Sequence, residues 1–212
     1  HHLQNGRVDG VIMSVASTTK DFNHINELIQ SGIPVIFFDR ICHEIETIKI
    51  TTDDFVSALN ATEHLIQNGC KKIAYLSISD SLSIDHKRKQ GYLEALNKYH
   101  LQEADSCIVQ CTEDDKNNLK KIKHLLLSNK KIDGVFASVE KLALTTYYAS
   151  SELNIRIPEQ IKVICFSNLA TASLLQPTLS TVTQPAFEMG KQAASILFKY
   201  LEKKKKNIHD LS

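Results

Sequence analysis

The stretch that most constrains the fold of this chain runs from Lys162 to Gly190. It opens with the apolar run Val163 to Phe166, which predicts a buried strand. A shorter β-branched run, Leu179 to Thr183, predicts a second extended segment, and Pro185 suits the first turn of a long helix. Strand, loop, extended segment and helix in this order predict a place where the chain passes back from one lobe of the molecule to another.

Short apolar runs alternate with segments of helical periodicity along the rest of the chain, and this alternation predicts an α/β fold with parallel sheets covered on both faces. The pattern restarts after Thr52. We therefore predict one lobe from residues 1–52 plus 182–212 and a second lobe from residues 53–181. The predicted strands are Val8–Ser14, Val35–Asp39, Thr47–Ile50, Lys71–Ile78, Cys107–Gln110, Asp133–Ser138, Val163–Phe166 and Leu179–Thr183.

Composition narrows the function classes. The net charge of +1 provides no large basic field for nucleic acid. No apolar run approaches the roughly 20 residues that a membrane helix needs. The five cysteines mostly lie in or beside apolar runs, which favours buried, reduced thiols and a cytoplasmic location.

Polar residues follow several of the predicted strands. Ligands of open α/β sheets bind outside the carboxyl ends of the strands. Those ends include Ser14, Asp39 with Arg40, and Ser167 with Asn168. Each could also be an ordinary turn that ends a strand, but together they favour a binding site at the sheet edges.

Signals for catalysis are weak. The seven glycines contain no GxGxxG or phosphate-binding loop. His86 lacks a serine or cysteine nucleophile motif, and Cys107 with Cys111 would make a poor metal site. We therefore expect no enzyme activity, no cofactor and no metal.

Seven stretches in one order resemble the effector-binding domain of the lactose-repressor/galactose-repressor family of bacterial transcription regulators. Related periplasmic sugar-binding proteins are also similar. The resemblance implies a periplasmic-binding-protein-like type I fold, with two flavodoxin-like lobes, a cleft between them and dimerisation. The matching stretches are VDGVIM, PVIFFDR, TTDD with HLIQNGCKKIAYL, RKQGYLEAL, DGVFAS, IPEQIKVICFSN and LSTVTQPAFEMGKQAA.

The resemblance also implies a set of ligand-binding positions, and three of them depart from the family pattern. His86 stands at the family's ligand arginine, Val139 at its asparagine, followed by Glu140, and Ser167 at the aspartate of its GFDN turn. Losing those polar groups predicts poor binding of free pentoses and hexoses. The full implied set is Ser14, Asp39, Arg40, His86, Arg88, Val139, Ser167, Asn168 and Gln184.

The resemblance implies that the domain senses a small-molecule effector, such as a sugar or glycan-derived compound, and modulates operator DNA binding as a homodimer. The family's helix-turn-helix headpiece and first strands have no counterpart in this sequence, so the first lobe should be incomplete and the protein longer. One alternative is a periplasmic sugar-binding receptor of a transport system. A small α/β enzyme is the alternative from another class.

Overall fold

The computed structural model describes residues 8–16, 19, 21–79, 83–101, 107–128 and 132–209, with backbone only for 204–209. Its strands are β1 (Val11–Met13), β2 (Val35–Phe38), β3 (Ile48–Ile50), β4 (Ile73–Ser77), β5 (Ile108–Gln110), β6 (Gly134–Ala137), β7 (Lys162–Phe166) and β8 (Ser180–Val182). Its helices are α1 (Asn23–Gln30), α2 (Asp54–Gln67), α3 (Ser83–Lys98), α4 (Asp115–Ser128), α5 (Glu140–Glu152) and α6 (Ala186–His209).

The chain forms two compact units. Unit 1 takes in residues 1–52 and 185–212, and unit 2 takes in residues 53–184. The division follows Gln184 rather than residue 181, because β8 pairs with β7 inside unit 2. The predicted boundary fell within that strand.

Unit 1 is built on a parallel sheet of order β1-β2-β3. The alternation of side chains along β2 explains how both faces are covered. Val35 and Phe37 pack in one cluster with Ile25 and Leu28 of α1. On the other face, a second cluster holds Ile36, Ile50, Met189 and Ala193, the last two from α6.

Unit 2 is built on a parallel sheet of order β5-β4-β6-β7-β8. The same alternation sends successive side chains of β4, β6 and β7 to opposite layers. Tyr75, Phe136 and Phe166 face the layer of α2 and α3. The opposite cluster combines Ala74, Leu76, Val135, Ala137, Val163 and Cys165 with Ile122, Leu125, Leu126, Leu142 and Ala143 of α4 and α5.

Helices α2 and α3 approach closely in unit 2. A Cβ added at Gly91 would lie 2.2 Å from the carbonyl oxygen of Phe55 and 2.8 Å from the amide nitrogen of Leu59. The start of α2 is fixed by Asp53, whose carboxylate accepts a hydrogen bond from the amide of Val56 at 3.1 Å. The predicted α/β class with parallel sheets is confirmed.

Candidate functional site

The carboxyl ends of the parallel strands form one edge of each sheet, and we call these edges the unit 1 rim and the unit 2 rim. Most of the candidate residues lie on them. On the unit 1 rim, the amide of Arg40 donates to Oγ of Ser14 at 3.4 Å, and the amide of Val15 donates to the carbonyl of Arg40 at 2.9 Å. The structure therefore brings Ser14 and Arg40 together.

Asp39 lies beside them, directly after β2. Its amide donates to the carbonyl of Ile50 at 2.9 Å, and its φ is +61°. A non-glycine residue in the left-handed region is uncommon, although aspartate tolerates it better than most residues. Backbone strain of this kind clusters at ligand sites. This geometry adds a physical reason to regard Asp39 as a candidate ligand residue.

On the unit 2 rim, Asp85 is a buried hub in the first turn of α3. Its exposed fraction is 3%. Tyr75 donates its hydroxyl to Oδ1 at 3.3 Å, the amide of Ser79 donates to Oδ2 at 3.1 Å, and the hydroxyl of Ser77 also donates to Oδ2. Burial first, and then the charge of Asp85, raise the pKa of Tyr75 well above its usual value. The phenol therefore remains a hydrogen-bond donor.

A small cavity opens over this hub. Its volume is about 230 Å³, and Ser77, Ser79, Asp85, His86 and Lys89 line it. His86 is exposed. Both hydrogen-bond donors and acceptors converge on a space of this size, so it suits a polar group of a ligand.

Arg88, predicted as a ligand residue, lies inside unit 2 beneath the rim with only 4% of its surface exposed. Its Nε donates to Oδ1 of Asp54 at 2.8 Å and its Nη1 to the carbonyl of Ser138 at 2.7 Å. The guanidinium carbon lies 3.6 Å from the ring centroid of Phe166. The side chain thus joins α3 to the start of α2 and to the ends of β6 and β7.

The ends of β6 and β7 are joined by a second contact. The hydroxyl of Ser167 donates to Oε2 of Glu140 and accepts from the amide of Leu169 at 2.9 Å. Val139, half-buried, precedes Glu140 and begins α5 without a side-chain cap. A carboxylate therefore lies beside Ser167, in the position where the sequence alone indicates only a hydroxyl.

Asn168 and Gln184 also lie together. Nδ2 of Asn168 donates to the carbonyl of Gln184 at 3.1 Å, and the amide of Gln184 donates to Oδ1 of Asn168 at 2.9 Å. This reciprocal pair ties the loop after β7 to the segment after β8. The amide group of Asn168 is thereby engaged with the backbone of Gln184.

Sequence reasoning missed Asp54 and Asp85 as rim determinants. Both are carboxylates in the first turn of a helix, where the helix dipole favours a negative charge, and that placement was the available signal. Their burial, which distinguishes them from solvated acids, depends on packing against Arg88 and Tyr75 and was not visible in the sequence.

Within residues 8–209, outside the gaps given above, no group of three or more His, Cys, Asp or Glu side chains is placed to hold a metal ion. None of the helices in the described part of the chain is long and apolar enough to cross a membrane.

A parallel α/β unit with hydrogen-bonding side chains gathered at its strand ends has the architecture of a small-molecule-binding domain. Comparison with known proteins agrees. The profile of the periplasmic binding protein-like domain matches residues 62–211, and the chain belongs to this family. The proteins that it is similar to include a regulator of the lactose-repressor (LacI) family.

Individual relatives show the same relationship. The chain is 28% identical over 207 residues to catabolite control protein A of Priestia megaterium and 29% identical over 202 residues to the ribose operon repressor of Halalkalibacterium halodurans. Each match covers 95% of this chain, which spans 62% and 58% of those two proteins. A solved structure of a LacI family regulator from Enterococcus faecium with bound ribose is 28% identical, with a TM-score of 0.83 over 95% of this chain and 74% of that one.

Proposed function

We propose that this chain is the effector-sensing part of a bacterial transcription regulator, and that effector binding at its strand-end rims modulates operator DNA binding. The observation that carries the proposal is the correspondence of 95% of the chain with proteins named as an operon repressor and a catabolite control protein. Those names favour a regulator over a periplasmic receptor.

The proposed ligand positions on the unit 2 rim are His86, Val139, Ser167, Asn168 and Gln184. Ser14, Asp39 and Arg40 form the corresponding proposed set on the unit 1 rim. Arg88 joins the proposal as a residue that supports the unit 2 rim from below, because its guanidinium is directed to Asp54 and to the carbonyl of Ser138.

The chemistry of the unit 2 rim supports binding rather than turnover. The hydroxyls of Ser77 and Ser167 donate directly to the carboxylates of Asp85 and Glu140. A serine nucleophile needs an adjacent base that can accept its proton and return it, a role usually filled by histidine. A hydroxyl held by a carboxylate is instead well placed to form fixed hydrogen bonds with a ligand.

Operator binding would require a DNA-binding segment outside this chain, and a two-fold operator would require a homodimer. We propose both. A ligand that binds one conformation of a regulator more tightly shifts the population toward it. Coupling free energies of about 1–3 kcal/mol change affinity about 5- to 150-fold, which is enough for regulation.

The test uses the full-length protein from the complete reading frame and a library of double-stranded DNA carrying the upstream region of its own gene. We expect selective, salt-dependent binding to one or a few pseudo-palindromic sites, measured by fluorescence anisotropy. Addition of the effector should change the operator affinity at least fivefold.

Asp39→Ala supplies the matched control, because a rim substitution should abolish the effector response and leave operator affinity in the absence of effector unchanged. Absence of any selective DNA binding by the full-length wild-type protein would overturn the proposed function.

A further inference from the structure

The contact between Ser167 and Glu140 places a carboxylate on the unit 2 rim. Glu140 is the first residue of α5, and Ser167 immediately follows β7. Residue Ser167 is 9% exposed, and its hydroxyl donates to Oε2 of Glu140. A carboxylate is therefore fixed at the end of β7, although the strand itself is followed by an uncharged residue.

The position of this carboxylate is set from two sides. The amide of Leu169 donates to Oγ of Ser167 at 2.9 Å, so the hydroxyl acts as acceptor toward the backbone and directs its own proton to Glu140. From the other side, Glu140 lies in the first turn of α5, where the helix dipole stabilises a negative charge. Both contacts favour one orientation of the carboxylate.

We propose that Glu140 is the specificity-determining carboxylate of the unit 2 rim, accepting hydrogen bonds from hydroxyl groups of the effector, and that Ser167 is the positioning residue that holds it. This inference rests on the proposed function of the rim as an effector site. An ionised carboxylate offers about four acceptor positions, of which the Ser167 hydroxyl uses one.

The negative charge of Glu140 affects the pKa of a neighbouring thiol. Burial first, and then the negative charge of Glu140, raise the pKa of Cys165 to about 12, while Arg88 acts in the opposite direction. The guanidinium of Arg88 is directed to Asp54 and to the carbonyl of Ser138. Hydrogen bonds to an ionised acceptor are roughly twice as strong as those between neutral groups. A hydroxyl donor is therefore a favourable partner at this position.

The same chemistry defines the class of ligand. Glu140 disfavours an anion at this end of the rim, and the half-buried side chain of Val139 beside it offers aliphatic surface. The ligand that fits is neutral and hydroxyl-bearing, with an apolar portion, as in a glycoside or a disaccharide. A phosphorylated sugar does not fit.

The experiment measures binding to the full-length protein by isothermal titration calorimetry. The probes are cellobiose, methyl β-D-glucopyranoside, D-ribose and, as the anionic comparator, D-ribose 5-phosphate. We expect at least one of the two glycosidic probes to bind more tightly than D-ribose, and D-ribose 5-phosphate to bind most weakly. Glu140→Gln keeps the shape of the side chain and should weaken the best neutral probe about tenfold.

A swap of the two positions separates a ligand contact from a structural role. Glu140→Ala should abolish binding, and the double variant Glu140→Ala with Ser167→Asp should restore it to within about threefold of wild type, because the carboxylate returns from the neighbouring residue. Glu152→Gln removes a charge at the far end of α5 and should leave probe affinity unchanged. Circular dichroism and thermal unfolding confirm that each variant is folded.

Two results would overturn the inference. One is that the wild-type protein binds none of the neutral probes, or binds the phosphorylated probe better. The other is that Glu140→Gln leaves the affinity unchanged in a folded protein. In both cases selective operator binding by the same preparations would show that the proposed regulatory function stands while the assignment of Glu140 fails.

Discussion

Arg88 is a buried cation that lies under the candidate site, and its contacts account for its position. Side-chain exposures of 5% for Arg88 and 3% for Asp54 place the pair away from water, where charges are stable only when well matched. Arg88→Met removes the guanidinium that pairs with the buried carboxylate of Asp54. We expect this variant to lose about 3–5 kcal/mol of unfolding free energy, measured by urea unfolding followed by circular dichroism.

Two further variants show whether the loss of stability comes from the unbalanced charge of Asp54. Arg88→Met combined with Asp54→Leu removes both charges and should recover most of the lost stability. Lys98→Met breaks the 2.6 Å pair with Glu63 in which the lysine is 58% exposed, and it should change the unfolding midpoint little. If the double variant were as unstable as Arg88→Met alone, lost packing on Phe166 would be the better explanation.

The thiols predict how stability depends on pH. Burial raises the pKa of Cys70 and Cys111 to about 11 and that of Cys165 to about 12. Cysteines in the unfolded chain ionise near pH 8.5. Above that pH the folded state therefore binds more protons than the unfolded state. The free energy of unfolding should be highest below about pH 8.5 and should decrease as the pH rises towards 11.

The measurement for the thiols is the urea midpoint at pH 7 and at pH 10, together with the rate of reaction with Ellman's reagent. All five cysteines are buried, so the native protein should react slowly and the unfolded protein should react at all five positions. Rapid reaction of several thiols in the native state would contradict the burial described here.

Several rim residues could be placed from the sequence, but their partners could not. Ser14, Asp39 and Ser167 were found because each follows an apolar run that predicts a strand, and a strand end is a local signal. The burial of Arg88 and the contact between Glu140 and Ser167 depend on side chains 34 and 27 positions apart in sequence. No local pattern specifies such distances.

At the scale of elements, the close contact of α2 and α3 depends on one residue. A side chain at Gly91 would meet the backbone of α2 at 2.2 Å, so Gly91→Ala should push the helices apart and destabilise unit 2 by roughly 1–3 kcal/mol. Gly190 in α6 has nothing within 4 Å of the corresponding position. Gly190→Ala should therefore stabilise the protein by about 0.5–1 kcal/mol.

Chemical unfolding measures the stability of the two alanine variants. We expect the free energy of unfolding to decrease for Gly91→Ala and to increase for Gly190→Ala. Alanine is a better helix former than glycine at both positions, so helix propensity alone predicts that both variants are stabilised. A stabilised Gly91→Ala variant would show that the two helices can move apart at little cost.

The existence of the elements was predictable because their periodicities are strong. Val35 to Phe38 is a continuous apolar run, and the structure confirms a strand at Val35–Phe38. The long helix expected after Pro185 is confirmed at Ala186–His209. The short 3-10 turn at Ala172–Leu174 was missed, since three residues are too few to establish a period.

For the whole molecule, the restart of the strand–helix pattern was the informative signal, because each sheet needs its own set of covering helices. The position of α6 in unit 1 follows from its apolar face, on which Met189 and Ala193 meet Ile36 and Ile50. The C-terminal boundary of unit 2, after Gln184, was harder to predict. β8 is only three residues long and joins the sheet through backbone hydrogen bonds to β7, which the sequence does not reveal.

Dimerisation is the last prediction, and the distribution of apolar surface suggests where it occurs. Helix α1 buries Ile25 and Leu28 within unit 1. On α5, by contrast, Leu144 is 37% and Tyr148 is 57% exposed, and both line one pocket together with Leu119 of α4. Exposed apolar side chains of this size are typical of the centre of a protein interface.

We expect the full-length protein to be a dimer, and the double variant Leu144→Asp with Tyr148→Asp to be a folded monomer at micromolar concentration by light scattering. Val56→Asp, which alters a 45% exposed apolar residue on α2, should remain dimeric. A dimeric double variant would exclude this surface, and a wild-type monomer in the presence of operator DNA would exclude the dimer itself.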